Sequence, residues 1–201
     1  MLRSSTNQDL AARSSRRGLV ALTLIGLLVL PTFAQANAYV LNKDHSKILF
    51  SIGHFYVSST DGQFTAFDGK LNFEAAAPEH GTATIHISPA SISTGIAARD
   101  DHLRTADFFD TARFPVATFE STSLDRVTGT TGKMIGTLSL HGVTKPVTLN
   151  VTLLTPDLNA DQLKFSASTT LKRSDYGMNN YLGVIGDEVT LTIQAEFDRE
   201  K

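Results

Sequence analysis

From Tyr39 onward, apolar and polar residues alternate with a period of two. Ile48, Phe50 and Ile52 share one face of a segment whose other face carries Lys47, Leu49 and Ser51. Ala83, Ile85 and Ile87 repeat the pattern, as do Leu138 and Leu140. Longer runs follow, through Val147, Leu149, Val151 and Leu153, then Phe165, Ala167, Thr169 and Leu171, then Val189, Leu191, Ile193, Ala195 and Phe197. Successive strand side chains point to opposite faces, so such runs, rich in β-branched residues, predict half-buried strands. Clusters of turn formers separate them: Asp61-Gly62, Asp68-Gly69, Glu79-His80-Gly81, residues 129–132, His141-Gly142, residues 156–161 and residues 183–187. The spacing suits about eight strands of an all-β domain. Residues 97–106 break the pattern and predict a short helix, with acids early and Arg104 late as the helix dipole favours. Leu103, Phe108 and Phe109 at its end are placed to close one mouth of a barrel.

A sheet with one apolar face needs that face covered, by a second sheet or by closure into a barrel, and closure also removes exposed edges. Alternation turns Phe50, Phe64, Phe67, Phe73, Phe119 and Phe165 inward, beside Ala83, Ala117, Ala167 and Gly136. Small residues next to large aromatics fit a hollow barrel with an elongated guest and a tapered, packed core equally well.

The first 38 residues read as an address. Arg3, Arg13, Arg16 and Arg17 precede an uncharged apolar run over residues 18–30, and Ala34-Gln35-Ala36-Asn37-Ala38 supplies small-residue cleavage sites. This is the pattern of a secretory signal peptide, with cleavage after Ala36 or Ala38, and it leaves residues 39–201 as the mature domain. The apolar run is short for a membrane span, so no stable membrane insertion is expected after cleavage. Arg16-Arg17 also fits a twin-arginine signal, and general secretion and twin-arginine export both remain open. A net charge of −2 gives no footprint for nucleic acid. With no cysteine among 201 residues, disulfides, thiolate metal sites and thiol nucleophiles are excluded.

Several blocks resemble one family. They are Ser46 to His54 with Gly62-Gln63-Phe64 and Phe67-Asp68-Gly69; Arg99-Asp100-Asp101-His102-Leu103-Arg104-Thr105-Ala106-Asp107-Phe108-Phe109-Asp110 running on to Phe114-Pro115; Gly136-Thr137-Leu138-Ser139-Leu140-His141-Gly142; and Arg173-Ser174-Asp175-Tyr176-Gly177-Met178-Asn179. In this order they resemble the YceI-like family of periplasmic proteins across the mature chain. The resemblance implies an all-β, lipocalin-like, eight-stranded antiparallel β-barrel with a short helical insertion, located in the periplasm. It also implies a binding protein rather than an enzyme, whose partner is a long-chain isoprenoid lipid of polyprenyl or isoprenoid-quinone type. No cofactor is implied beyond that lipid. A homodimer through the helix is compatible with it.

On this reading the ligand-binding residues are Phe50, Ile52, His54, Phe64, Phe67, Arg99, Leu103, Phe108, Phe119, Leu138, Phe165, Arg173, Tyr176 and Asn179. His54 continues the inward face of its strand, which suits either a head-group contact or a satisfied core histidine. Arg99 belongs to a mixed-charge run that suits a solvated helix face, or a cation at the mouth meeting a head group through charge-assisted hydrogen bonds. Arg173, Tyr176 and Asn179 would face it from another loop. Asp44-His45-Ser46 contains the letters of a triad, but neighbours on a strand point apart and form no relay. The six histidines show no metal-binding spacing.

Overall fold

The computed structural model describes residues 37–54 and 58–201. The segment expected to direct export therefore lies outside the described residues, apart from Asn37 and Ala38. Those two open strand β1 (Asn37–Leu41) and pair with Phe73 and Asn72 of β4 (Phe67–Phe73). The other strands are β2 (Lys47–His54), β3 (Ser58–Phe64), β5 (Thr82–Ile87), β6 (Ile92–Ser93), β7 (Ala117–Thr128), β8 (Thr131–Leu140), β9 (Val143–Leu153), β10 (Gln162–Lys172) and β11 (Ile185–Arg199). Every strand pairing is antiparallel.

Eleven segments make eight walls, because three walls are broken in the middle. β1 and β2 both run along β11, with Leu41 opposite Phe197 and Lys47 opposite Gln194. β4 and β3 continue the next wall, and β5 and β6 the third, the latter interrupted by a short 3-10 turn at Pro89–Ser91. β7 to β11 are continuous, and the β1–β11 pairing closes the cylinder. The result is the closed eight-stranded antiparallel barrel that the resemblance implies, where alternation left a sandwich or a barrel open. Between β6 and β7 the chain leaves the wall and forms α1 (Ala97–Arg104), two residues shorter than predicted. This insertion is tied to the wall by Arg104, which donates to the carbonyls of Ala90 and Ile92 at 2.8 and 3.0 Å.

Two expected turns are strands instead. Asp61-Gly62 lies inside β3 and Asp68-Gly69 inside β4. Both glycines face inward, where a large side chain from the adjoining strand crosses them. A Cβ on Gly62 would collide with the Phe50 ring, and one on Gly69 would come 2.5 Å from Ile85 Cδ1. The glycines are there for close approach and not for a turn.

Candidate ligand cavity

The barrel is hollow. An upper cavity of about 440 Å³ lies between β2, the β10–β11 end and the helical insertion. A lower cavity of about 140 Å³ adjoins it, and Ile48, Ile87, Leu138, Leu171 and Leu191 line both. Burial shows the same thing. On β9, Val147, Leu149 and Val151 are 7–8% exposed, as packed core residues should be. Phe50, Ile52, Phe165, Ala167, Leu171 and Leu191 also face inward, yet remain only half-buried. Part of the wall touches side chains, and part looks onto open space.

Thirteen of the fourteen residues predicted to bind a ligand line this space. Phe50, Ile52, His54, Phe64, Arg99, Leu103, Phe108, Leu138, Arg173 and Tyr176 surround the upper cavity. Phe67, Phe119 and Phe165 line the lower one, again with Leu138. Asn179 is the exception. It is exposed, and its backbone N–H turns back to the Gly177 carbonyl at 3.1 Å. Its neighbour Asn180 donates from Nδ2 to the Asp107 carbonyl at 3.0 Å and so links the β10–β11 loop to the insertion. Sequence reasoning missed Met178, Tyr181, Ile185, Thr60 and Thr94, which also face the upper cavity. Val189 and Leu191 were legible from alternation, whereas the threonines carried no signal.

The polar groups of the upper cavity form a chain across its wall. Arg99 donates from Nε to Thr94 Oγ1 at 2.7 Å, from Nη2 to the Thr94 carbonyl at 3.0 Å and from Nη1 to Thr60 Oγ1 at 3.2 Å. Thr60 Oγ1 is also 2.9 Å from His54 Nε2, with the proton placement set by the histidine tautomer. Buried Asp100 holds the other side of Thr94, accepting from its backbone N–H at 2.8 Å and its hydroxyl at 2.5 Å. The helix thus splits the mixed-charge run. Asp101 faces water, Asp100 is structural, Arg99 reaches the cavity, and His102 is exposed at the cavity rim. The arginine ion pairs of the insertion are made by Arg104 with Asp101 and by Arg113 with Asp110, not by Arg99. What Arg99 and His54 present to the space is therefore mainly donor capacity.

Arg173 is different. It is 5% exposed, and its guanidinium donates to the carbonyls of Gly186 (2.9 Å), Met178 (2.6 Å), Asn180 (2.8 Å) and Ile185 (3.2 Å). Burial pulls its pKa below the ordinary arginine value, partly offset by Asp187. It is the pin of the β10–β11 loop, a correction to the expectation that it meets a head group. Asp187 accepts from the Ser174 backbone and hydroxyl at 2.9 and 2.8 Å. Burial alone would raise its carboxyl, but these bonds and Arg173 hold it below the usual range. The loop is then folded over the mouth. Tyr181 stacks on Phe108 with 5.7 Å between ring centroids, and His102 stands edge-on to both. Burial also raises the Tyr176 phenol.

Elsewhere the histidines are structural. His86 pairs with Asp68 outside the barrel, His45 with Glu196, and His141 Nδ1 lies 2.8 Å from the Tyr176 carbonyl. Asp44-His45-Ser46 forms the corner between β1 and β2, with Ser46 accepting from the Glu196 N–H at 3.0 Å. Among the described residues, no group of three His, Asp or Glu side chains converges as a metal site. No described helix is long and apolar enough to cross a membrane.

Comparison with known proteins agrees with this geometry. Residues 39–197 match the YceI-like domain family. A protein of Azotobacter vinelandii, called a UPF0312 protein, is 36% identical over 190 residues, covering 92% of this chain and 99% of that one. Two solved structures share the fold at lower identity. BcnA of Burkholderia cenocepacia superposes with a TM-score of 0.72 at 24% identity, over 78% of this chain and 98% of that one. A polyisoprenoid binding domain from Saccharophagus degradans superposes with a TM-score of 0.63 at 22% identity, over 82% and 99%. With the family match spanning nearly all of the barrel, and the quoted blocks forming its walls and mouth, this chain belongs to the YceI-like family.

Proposed function

We propose that the protein is an exported lipid-binding protein of the periplasm, which holds a long-chain isoprenoid of polyprenyl or quinone type with its tail in the barrel. The observation that carries this is the half-buried inner wall. Apolar side chains facing an unfilled apolar space gain contacts only when a guest supplies them. The Saccharophagus degradans domain, described as polyisoprenoid-binding, supports the tail chemistry. The reading is non-enzymatic, because the polar residues lining the upper cavity are histidines, arginines, threonines and tyrosines, with no carboxylate among them for acid–base work. Cleavage after Ala36 leaves β1 whole, whereas cleavage after Ala38 removes two of its paired residues.

Affinity has to be reckoned against a membrane. Burying a tail of about 40 carbons from water would nominally gain about 30 kcal/mol, beyond the saturation of measured affinities near 20 kcal/mol. A lipid already in a bilayer gains little by moving its tail into a barrel. Selectivity then rests on the shape of the cavity and on donors at its mouth, namely Arg99 and His54. The test is native mass spectrometry of the protein recovered from the periplasm of its own host. A co-purifying isoprenoid is expected. A barrel that is consistently empty, or one that turns over a substrate, overturns the reading.

A further inference from the structure

We propose that the lower chamber is a length gauge for the tail of the guest; this rests on the isoprenoid reading above. The void is divided unequally, with about 440 Å³ above the shared ring and about 140 Å³ below it. The ring is the waist of the barrel, built from Leu138, Leu171 and Leu191 among others. The donors Arg99 and His54 are confined to the upper cavity, so the polar end of a guest stays there and its tail points down.

Below the waist the space exists because the inward side chains are small. Ala83, Ala167 and Ala195 face it beside Phe119, Phe165 and Phe197. Past it the barrel is plugged. Tyr39 and Leu163 are fully buried and line neither cavity. Leu163 lies opposite Phe197, and Tyr39 is one inward position further along, opposite Arg199. The Tyr39 hydroxyl donates to the Ala160 carbonyl at 3.1 Å, and the Arg199 guanidinium covers its ring at 5.3 Å. A tail that crosses the waist therefore meets a floor and not an exit. Short isoprenoids occupy the upper cavity alone, and longer ones gain contacts by filling the lower chamber. Beyond that length the tail has no further room, and a longer guest fits only by lifting its polar end away from Arg99 and His54, so added units bring no gain.

Farnesol, geranylgeraniol and solanesol share chemistry and differ in length. Each is offered in neutral detergent micelles to the delipidated mature protein, and occupancy is read by native mass spectrometry. For the parent protein, occupancy should rise with length and then level off, because a tail leaving a micelle gains only the packing contacts that the lower chamber adds. Ala167→Phe places a ring in the lower chamber, and Ala195→Leu a smaller group. Each, with folding confirmed by circular dichroism, should erase the advantage of solanesol and leave farnesol within about twofold of the parent. A parent profile that is flat across the three alcohols overturns the gauge and spares the isoprenoid reading, as does a folded variant that keeps the parent preference or loses all three alike. If the parent retains none of the three, the isoprenoid reading falls and the gauge falls with it.

Discussion

Arg99 and Arg173 both line the upper cavity, and their hydrogen bonds separate their roles. Four backbone carbonyls occupy the Arg173 guanidinium, so replacing it strands buried acceptors. Arg173→Met should destabilise the barrel by about 3 kcal/mol, measured by urea unfolding, because hydrogen bonds to charged groups are worth about 1.5–3 kcal/mol and orphaned carbonyls add to the loss. Arg99 is held mainly by threonine side chains and one carbonyl, in a half-buried position. Arg99→Gln should cost less than about 1 kcal/mol of stability. It should instead change which lipids are retained, read by mass spectrometry of the extracted lipid. An unchanged lipid profile in Arg99→Gln, or a harmless Arg173→Met, would reverse the assignment. Both residues were legible as candidates from the motif blocks. Their division of labour was not, because it depends on carbonyls five to thirteen residues downstream and on Thr60, far away in sequence.

Among the elements, the corner between β1 and β2 is the place where the wall is broken and must be held. Glu196 of β11 lies on the outer face, covered by His45 and Lys164 rather than sunk in the core. It meets His45 Nδ1 at 2.7 Å and Lys164 Nζ at 2.9 Å. Burial alone would raise its pKa, but these partners outweigh it and hold the carboxyl below its ordinary value of 4.5. Asp198 is lowered similarly, by hydrogen bonds from Gln162 and Asn42. A carboxyl whose folded pKa is depressed stabilises the fold above its unfolded pKa, and that contribution is lost as pH falls through the folded value. The barrel should therefore weaken between about pH 5 and pH 3. Glu196→Gln should be less stable than the parent at neutral pH, with a gap that narrows as pH drops through that window. Thermal unfolding across pH checks this, and a gap that widens in acid would refute it.

For the whole molecule, stability and occupancy are coupled. A guest that binds only the folded barrel, present at about a hundred times its dissociation constant, adds about 2.7 kcal/mol. For a domain of this size that raises Tm by about 5–10 °C. Protein stripped of lipid under non-denaturing conditions should melt lower by that amount and recover when lipid is restored. Equal melting temperatures would show that the native barrel has no preference for its guest. The same coupling explains why an open apolar interior is tolerated at all, since the missing packing is supplied from outside.

Alternation by itself determined which face of each strand is apolar, and the break in it over residues 97–106 determined the place of the insertion. The motif blocks were enough to reach the family. These are local properties, carried by side-chain direction and neighbours in the chain. Three things were decided only by tertiary structure. Asp61-Gly62 and Asp68-Gly69 became strand because Phe50 and Ile85 cross them from adjoining strands. Asn179 turned outward while Asn180 tied the loop to Asp107. The interior stayed open because inward faces such as those around Phe50 and Phe165 do not meet across the axis. Whether facing walls touch depends on the radius of the closed cylinder and on long-range register, and an alternating pattern reads the same for a filled barrel and a hollow one.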